Sequence, residues 1–229
     1  GEEAWKVTDR WPPPGAETQR WYFAGGNGLA REAPSTESGS DAYEVDFEAS
    51  TGPTNRWQTQ DGVTKVAYPD RAQADARLLT YTSAPLSEDV EITGYPVVTL
   101  HVASTASDGA FYVYLEDVDE DGKVLYLTEG LLRALHRRES DREPRFAQFG
   151  PHHSFLLEDA MELVPGEVAE IRFGLLPTSA LVRKGHRLRV AIAGHDASTF
   201  ARIPVEGAPT ITVHRDRVHA SHVDLPIVP

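Results

Sequence analysis

From Leu78 onward the chain is a series of strand-like runs of four to eight residues separated by turn residues, and this pattern constrains the fold more than any other feature. The runs occupy 78–83, 97–104, 110–117, 123–129, 168–173 and 187–194. In Arg187-Leu188-Arg189-Val190-Ala191-Ile192, Leu188, Val190 and Ile192 share one face and the arginines the other, as in a half-buried strand. Glu170-Ile171-Arg172-Phe173 repeats the alternation. Ala110-Phe111-Tyr112-Val113-Tyr114-Leu115 is apolar or aromatic on both faces, which suits a central strand covered twice. Asp121-Gly122 between two runs is a strong hairpin signal. No segment keeps a helical period for three turns, although 70–76 and 179–182 are compatible with single turns. Pro226 within the closing run 223–228 predicts an edge strand, because proline cannot donate to a central ladder. The class is all-β, and with no internal repeat the default is two packed sheets.

The first part reads differently. Residues 1–76 form a loop-rich segment, with short strand candidates at 20–24 and 43–47, and residues 77–229 form the main β-sandwich of what is read as one domain, 1–229. The segment nevertheless holds Trp5, Trp11, Trp21 and Trp57, whereas disordered segments are poor in aromatics. It is therefore expected to lie pinned across a larger surface. The opening Gly-Glu-Glu-Ala-Trp-Lys reads as a chain already under way, with no basic-then-apolar leader.

Twenty-two Lys and Arg against 35 Asp and Glu give a formal charge of -13, which repels phosphate backbones. Nucleic acid is not an expected partner. No run approaches the roughly 18 apolar residues that span a bilayer, so no membrane association is expected either. A soluble, cytoplasmic setting is the expectation, with assembly into homo-oligomers left open. The lack of cysteine excludes disulfides, thiolate metal sites and thiol nucleophiles. No serine sits in a G-x-S-x-G elbow, and H-E-x-x-H, P-loop and Rossmann glycine motifs are missing. The expectation is no catalytic residue, no cofactor and no metal.

Four weaker constellations remain. Asp117-Val118-Asp119-Glu120-Asp121-Gly122 imitates the start of a calcium loop, but Thr128 stands where the closing Glu belongs, and a solvated turn is preferred. His214, His219 and His222, with Asp216 and Asp224, have zinc-ligand side chains at a spacing that fits no standard set, and are read as surface or packing residues. Pro151-His152-His153-Ser154 places His beside Ser only in sequence, which does not make a dyad. His195-Asp196 follows a strand and is read as a structural hydrogen bond at its end.

LLTYTSAPLSEDVEITGYPVVTLHV (78–102), DGAFYVYLEDVDEDGKVLYLTEGLLRA (108–134), GEVAEIRF (166–173) and KGHRLRVAIAG (184–194) occur in order. They closely resemble the C-terminal non-catalytic domain of the X-Pro dipeptidyl-peptidase, cocaine esterase and α-amino-acid ester hydrolase family. The resemblance implies a jelly-roll β-sandwich of galactose-binding-domain type, with long N-terminal loops, that forms part of a larger hydrolase. Its implied partner is an upstream α/β-hydrolase catalytic domain of the same chain, which would supply Ser, Asp and His. It further implies that an early loop, here around 52–57, helps line the acyl pocket, which makes Arg56 and Trp57 the candidate substrate-pocket residues. Packing of Trp57 within the domain's own core is the competing reading. The alternative function is a carbohydrate-binding jelly-roll module, motivated by Tyr112 and Tyr114 as an aromatic platform.

Overall fold

The computed structural model describes residues 2–58, 65–148 and 150–229. The all-β class is met, with thirteen strands among the described residues joined in a single hydrogen-bonded network. One layer is built from β4 (Leu79–Ser83), β11 (Arg187–Ala193), β7 (Ala110–Val118) and β8 (Val124–Arg133), paired antiparallel in that order. The other places β6 (Val97–Ser104) between β9 (Ala169–Gly174) on one side and β12 (Thr210–His214) with β13 (His222–Val228) on the other. β3 (Ser40–Glu44) borders β12, β1 (Glu17–Ala24) borders β13, and β5 (Val90–Gly94) carries β10 (Thr178–Val182). β2 (Gly28–Ala30) pairs with both β1 and β4 and so links the two layers.

The period-2 pattern explains the sandwich. Leu188, Val190 and Ile192 of β11, Phe111, Val113 and Leu115 of β7, and Val98, Leu100 and Val102 of β6 turn inward and join one core cluster. Phe23 and Tyr81 stack at its heart, ring centroids 4.2 Å apart and 11° from parallel. The even residues of β7 face outward, yet Tyr112 and Tyr114 are buried in a second cluster with Ala191 and Ala193, so β7 is covered on both sides as expected.

Several expectations need correction. β13 is no edge strand, because β1 pairs along one side of it while β6 and then β5 pair along the other. Pro226 is tolerated because it stands where β13 has left β6, last paired at Asp224↔Val97, and has not yet met β5, first paired at Ile227↔Ile92. Gly94 completes that junction, since a Cβ there would lie 2.9 Å from the Pro226 ring. Residues 179–182 are not a turn of helix but belong to β10, held by its ladder on β5. The strand placed at 43–47 runs instead from Ser40 to Glu44, and residues 17–44 contribute three strands to the sandwich rather than loop alone. The single turn expected in 70–76 is present as α1 (Ala72–Asp75).

Candidate functional site

The outer face of the β4-β11-β7-β8 layer carries the polar chemistry of the molecule. Alternation brings Tyr112, Tyr114 and Glu116 of β7 level with Ala193, Ala191 and Arg189 of β11, and with Leu131, Glu129 and Tyr126 of β8. A bulge between Leu115 and Glu116 keeps Tyr126 and Glu129 on this face. Three pieces of loop lie over it: 46–58, 65–78 and 195–200.

Asp196, buried directly after β11, anchors the first and third pieces. Its carboxylate accepts hydrogen bonds from the Thr51 amide (3.2 Å), the Thr51 hydroxyl and the Ser198 hydroxyl (2.8 Å). Asn55, also buried, donates to Thr51 Oγ1 and Thr199 Oγ1 (both 2.8 Å) and accepts from the amides of Trp57 (3.0 Å) and Gln58 (2.8 Å). The segment bearing Arg56 and Trp57 is thereby fixed. The Arg56 amide donates to the Tyr68 hydroxyl (3.0 Å), which donates to Glu129 Oε1 (2.9 Å), while Tyr68 stacks on Tyr126 at 3.7 Å. Burial raises the Glu129 carboxyl above its ordinary value and pushes the Tyr68 hydroxyl up to about 12. Trp57 is half-buried and meets Phe200 edge-on at 5.7 Å, and Phe200 in turn packs on Tyr112 at 5.2 Å. Trp57 thus belongs to the loop layer over the outer face and not to the inter-sheet core.

Beside this lies a buried charge group. Arg71 Nε donates to Glu116 Oε1 (2.6 Å) with its guanidinium 4.4 Å above the Tyr114 ring, while Asp75 receives Arg189 at 3.0 Å and Arg71 at 3.5 Å. Burial, and then the Asp75 charge, push the Glu116 carboxyl up to about 8 against the pull of Arg71. Glu116 Oε2 and Asp75 Oδ1 are both buried without a hydrogen-bond partner, and the raised Glu116 carboxyl is the member of the pair that burial drives toward its protonated form. A cleft of about 430 Å³ opens here, floored by Tyr114 and Ala193 and walled by Ser50, Arg71, Ala74 and His195.

Of the remaining sequence candidates, the fold brings together His214, Asp216 and His219 and separates the others. His195 is buried against Phe47 (5.2 Å), and burial lowers its imidazole below the ordinary value, which leaves a neutral packing ring. The ring nitrogens of His153 lie 3.0 and 2.9 Å from the carbonyls of Arg138 and Arg172, whereas Ser154 donates to Asp159 at 2.5 Å, so these neighbours form no dyad. In the 119–122 turn, Asp119 Oδ1 accepts the amides of Asp121 (3.0 Å) and Lys123 (2.8 Å), the behaviour of a hairpin turn. His222 and Asp224 separate from His214, Asp216 and His219: His222 packs on Tyr22, and Asp224 receives Arg20 at 2.7 and 2.9 Å. Sequence reasoning missed Arg71, Asp75, Glu116 and Arg189, whose pairing no local spacing announces.

The sequence profile of the X-Pro dipeptidyl-peptidase C-terminal non-catalytic domain matches residues 1–224. The chain belongs to this family. Among relatives of this domain, a Mycobacterium bovis protein that carries the name putative serine esterase is 54% identical over 228 residues, which is 99% of this chain and 36% of that protein. The cocaine esterase of a Rhodococcus species is 26% identical over 256 residues, covering all of this chain and 40% of the esterase. Among solved structures, an aminopeptidase from a marine sediment archaeon superposes with a TM-score of 0.78 at 22% identity, over 100% of this chain and 39% of its own. A CocE/NonD family hydrolase from Staphylococcus aureus gives 0.73 at 17% identity, over 98% and 38%. The domain therefore spans a little over a third of the length of the proteins it matches. No helix among the described residues is long and apolar enough to cross a membrane.

Proposed function

We propose that this chain is the β-sandwich partner of an α/β serine hydrolase domain in the same polypeptide, on which it packs and whose substrate pocket it helps to shape. The observation that carries the reading is the match over residues 1–224 to a non-catalytic domain, in relatives of which it makes up only 36–40%. The chemistry of the chain agrees: Asp196 and Asn55 are committed to the loops they anchor and Glu116 to Arg71, and no serine faces a histidine poised as base in the clusters described above. Exposed apolar side chains support a docking role. Trp5, Val7 and Leu157 are 100%, 102% and 90% exposed, and Phe155 is 62% exposed, a cost that a covering domain removes. Nucleic acid and membrane have no place in this reading.

In the proposed complex the Arg56–Trp57 segment lines the acyl side of the pocket, a reading supported by the bonds from Asp196 and Asn55 that fix this loop in place. The parent activity is read as cleavage of acyl esters or X-Pro peptides through an acyl-enzyme. The test compares this chain and its full-length protein on p-nitrophenyl acyl esters and X-Pro p-nitroanilides. Turnover confined to the longer protein is expected, and turnover by residues 1–229 alone refutes the assignment. The carbohydrate-binding alternative loses its motivating residues, since Tyr112 and Tyr114 are 5% and 2% exposed and cannot serve as a sugar platform.

A further inference from the structure

A second cluster lies at the opposite layer, where β12 passes into β13. β12 pairs Val213 with Val102 of β6, and one step further along this antiparallel ladder His214 falls beside His101. Val213 and Val102 point into the core, so both imidazoles project from the outer side. The chain then makes a short loop closed by the Arg215↔Ala220 bridge. Asp216 Oδ1 accepts the amides of Val218 (2.9 Å) and His219 (2.8 Å), a turn that swings His219 back over the strand pair.

Three imidazoles and a carboxylate converge as a result. The His219 ring is 5.7 Å from that of His101 and 5.6 Å from that of His214. Asp216 lies between, 3.4 Å from His219 Nδ1 and 3.7 Å from His214 Nδ1, longer than hydrogen bonds of good geometry. One ligand atom each from His214, Asp216 and His219 fall within 4.8 Å of one another. A tetrahedral zinc site needs such atoms roughly 3.3 Å apart, given metal–ligand bonds near 2.0–2.1 Å. Rotation of His219, whose side chain is 37% exposed, closes the difference without moving a strand. Glu170, opposite His101 on β9, has Oε2 4.0 Å from His101 Nε2, outside hydrogen-bond distance but near enough for a side-chain rotation to make it an outer carboxylate for that ring.

We propose that His214, Asp216 and His219, with His101 as fourth ligand, bind one divalent transition-metal ion of the zinc type. Nitrogen donors with a single carboxylate suit zinc and disfavour calcium or magnesium, which take oxygen ligands. Such an ion would pin the 215–220 loop and so the start of β13. The sequence spacing alone points to surface or packing roles because it offers His222 in place of His101, and only the β6–β12 register supplies the latter.

The test titrates zinc alone into the chelator-stripped full-length protein against a chromogenic chelator, followed by metal analysis after desalting. Wild type is expected to retain one more zinc than the His214→Gln/His219→Gln double variant, and His219→Gln to weaken that binding by ~100-fold or more, beyond what loss of an outer-shell partner costs. Cobalt should give the intense visible absorption of a tetrahedral site in wild type and lose it in His101→Gln. His222→Gln, outside the cluster, should bind as wild type does. Equal zinc content in wild type and His219→Gln, or loss of zinc in His222→Gln with His219→Gln unaffected, overturns the proposal. Circular dichroism of each variant shows that altered binding is not unfolding.

Discussion

Replacing Glu116 by glutamine should remove a pH-dependent contribution to the domain's stability. The Glu116 carboxyl is raised from its ordinary 4.5 to about 8, so between those values the folded state holds a proton that the unfolded chain releases. A raised value contributes stability that is full below pH 4.5 and is lost as pH climbs through 8. Within the window the slope approaches ~1.4 kcal/mol per pH unit, so the wild type should lose about 3 kcal/mol between pH 5.5 and 8 from this group alone. In Glu116→Gln the side-chain amide keeps an oxygen for Arg71 Nε and offers an N–H toward Asp75, with no charge to desolvate. The variant therefore escapes that loss. For a domain of this size 1 kcal/mol moves Tm by roughly 2–4 °C, so the difference between variant and wild type should shift by about 10 °C in favour of the variant across that range. Thermal unfolding of both proteins at half-unit steps from pH 5.5 to 9 reads it directly, and the subtraction removes other titrating groups. A difference that stays constant with pH, or moves in favour of the wild type as pH rises, refutes the picture of a protonated carboxyl beside Asp75.

Asp196→Ala should cost about 1–3 kcal/mol in denaturant unfolding, because the buried Thr51 amide it satisfies is left unpaired, whereas the Ser198 hydroxyl can turn to the Gly52 carbonyl. Gly194→Ala should destabilise by about 1–3 kcal/mol, since its Cβ would lie 2.5 Å from Val45 Cγ2 in the packed core, and a neutral result would mean that Val45 can yield. In the full-length protein, Trp57→Ala should raise KM for long acyl esters more than for acetyl esters while leaving folding intact, and an even effect on both would remove Trp57 from the proposed pocket.

Strands that carry their own alternation were legible in sequence: 187–194 and 97–104 correspond closely to β11 and β6, because each buries every second residue. β5, β10 and β12 carry no strand signal of their own, and 179–182 within β10 reads as a single turn. They are five residues each, mix Thr, Ser, Glu or His with the apolar positions, and take their identity from the partner ladder. The polar groups follow the same rule. Arg56 and Trp57 could be named from a resemblance, but the charge group of Arg71, Asp75, Glu116 and Arg189 is joined across three separate elements. Nothing local marks Glu116, beside Asp117 at the end of a hydrophobic run, as a carboxyl held for Arg71. His101 stayed invisible as a neighbour of His214 for the same reason, since only the register of β6 on β12 sets them side by side.

The position of β13 has a bearing on how the chain is made. Synthesis runs from the N-terminus, and β1, β5 and β6 are all complete before the residues of β13 appear, yet each needs that strand to cover an edge. Glu17 waits for Ile227 and Val97 for Asp224. Until then the nascent domain presents open strand edges and part of its core to the cell, the state in which β-rich chains mispair or recruit chaperones. Any polypeptide that stops short of residue 222 should therefore be an aggregation substrate rather than a smaller version of the fold, and a ribosome pausing in the 215–220 loop would hold the domain at its most vulnerable moment.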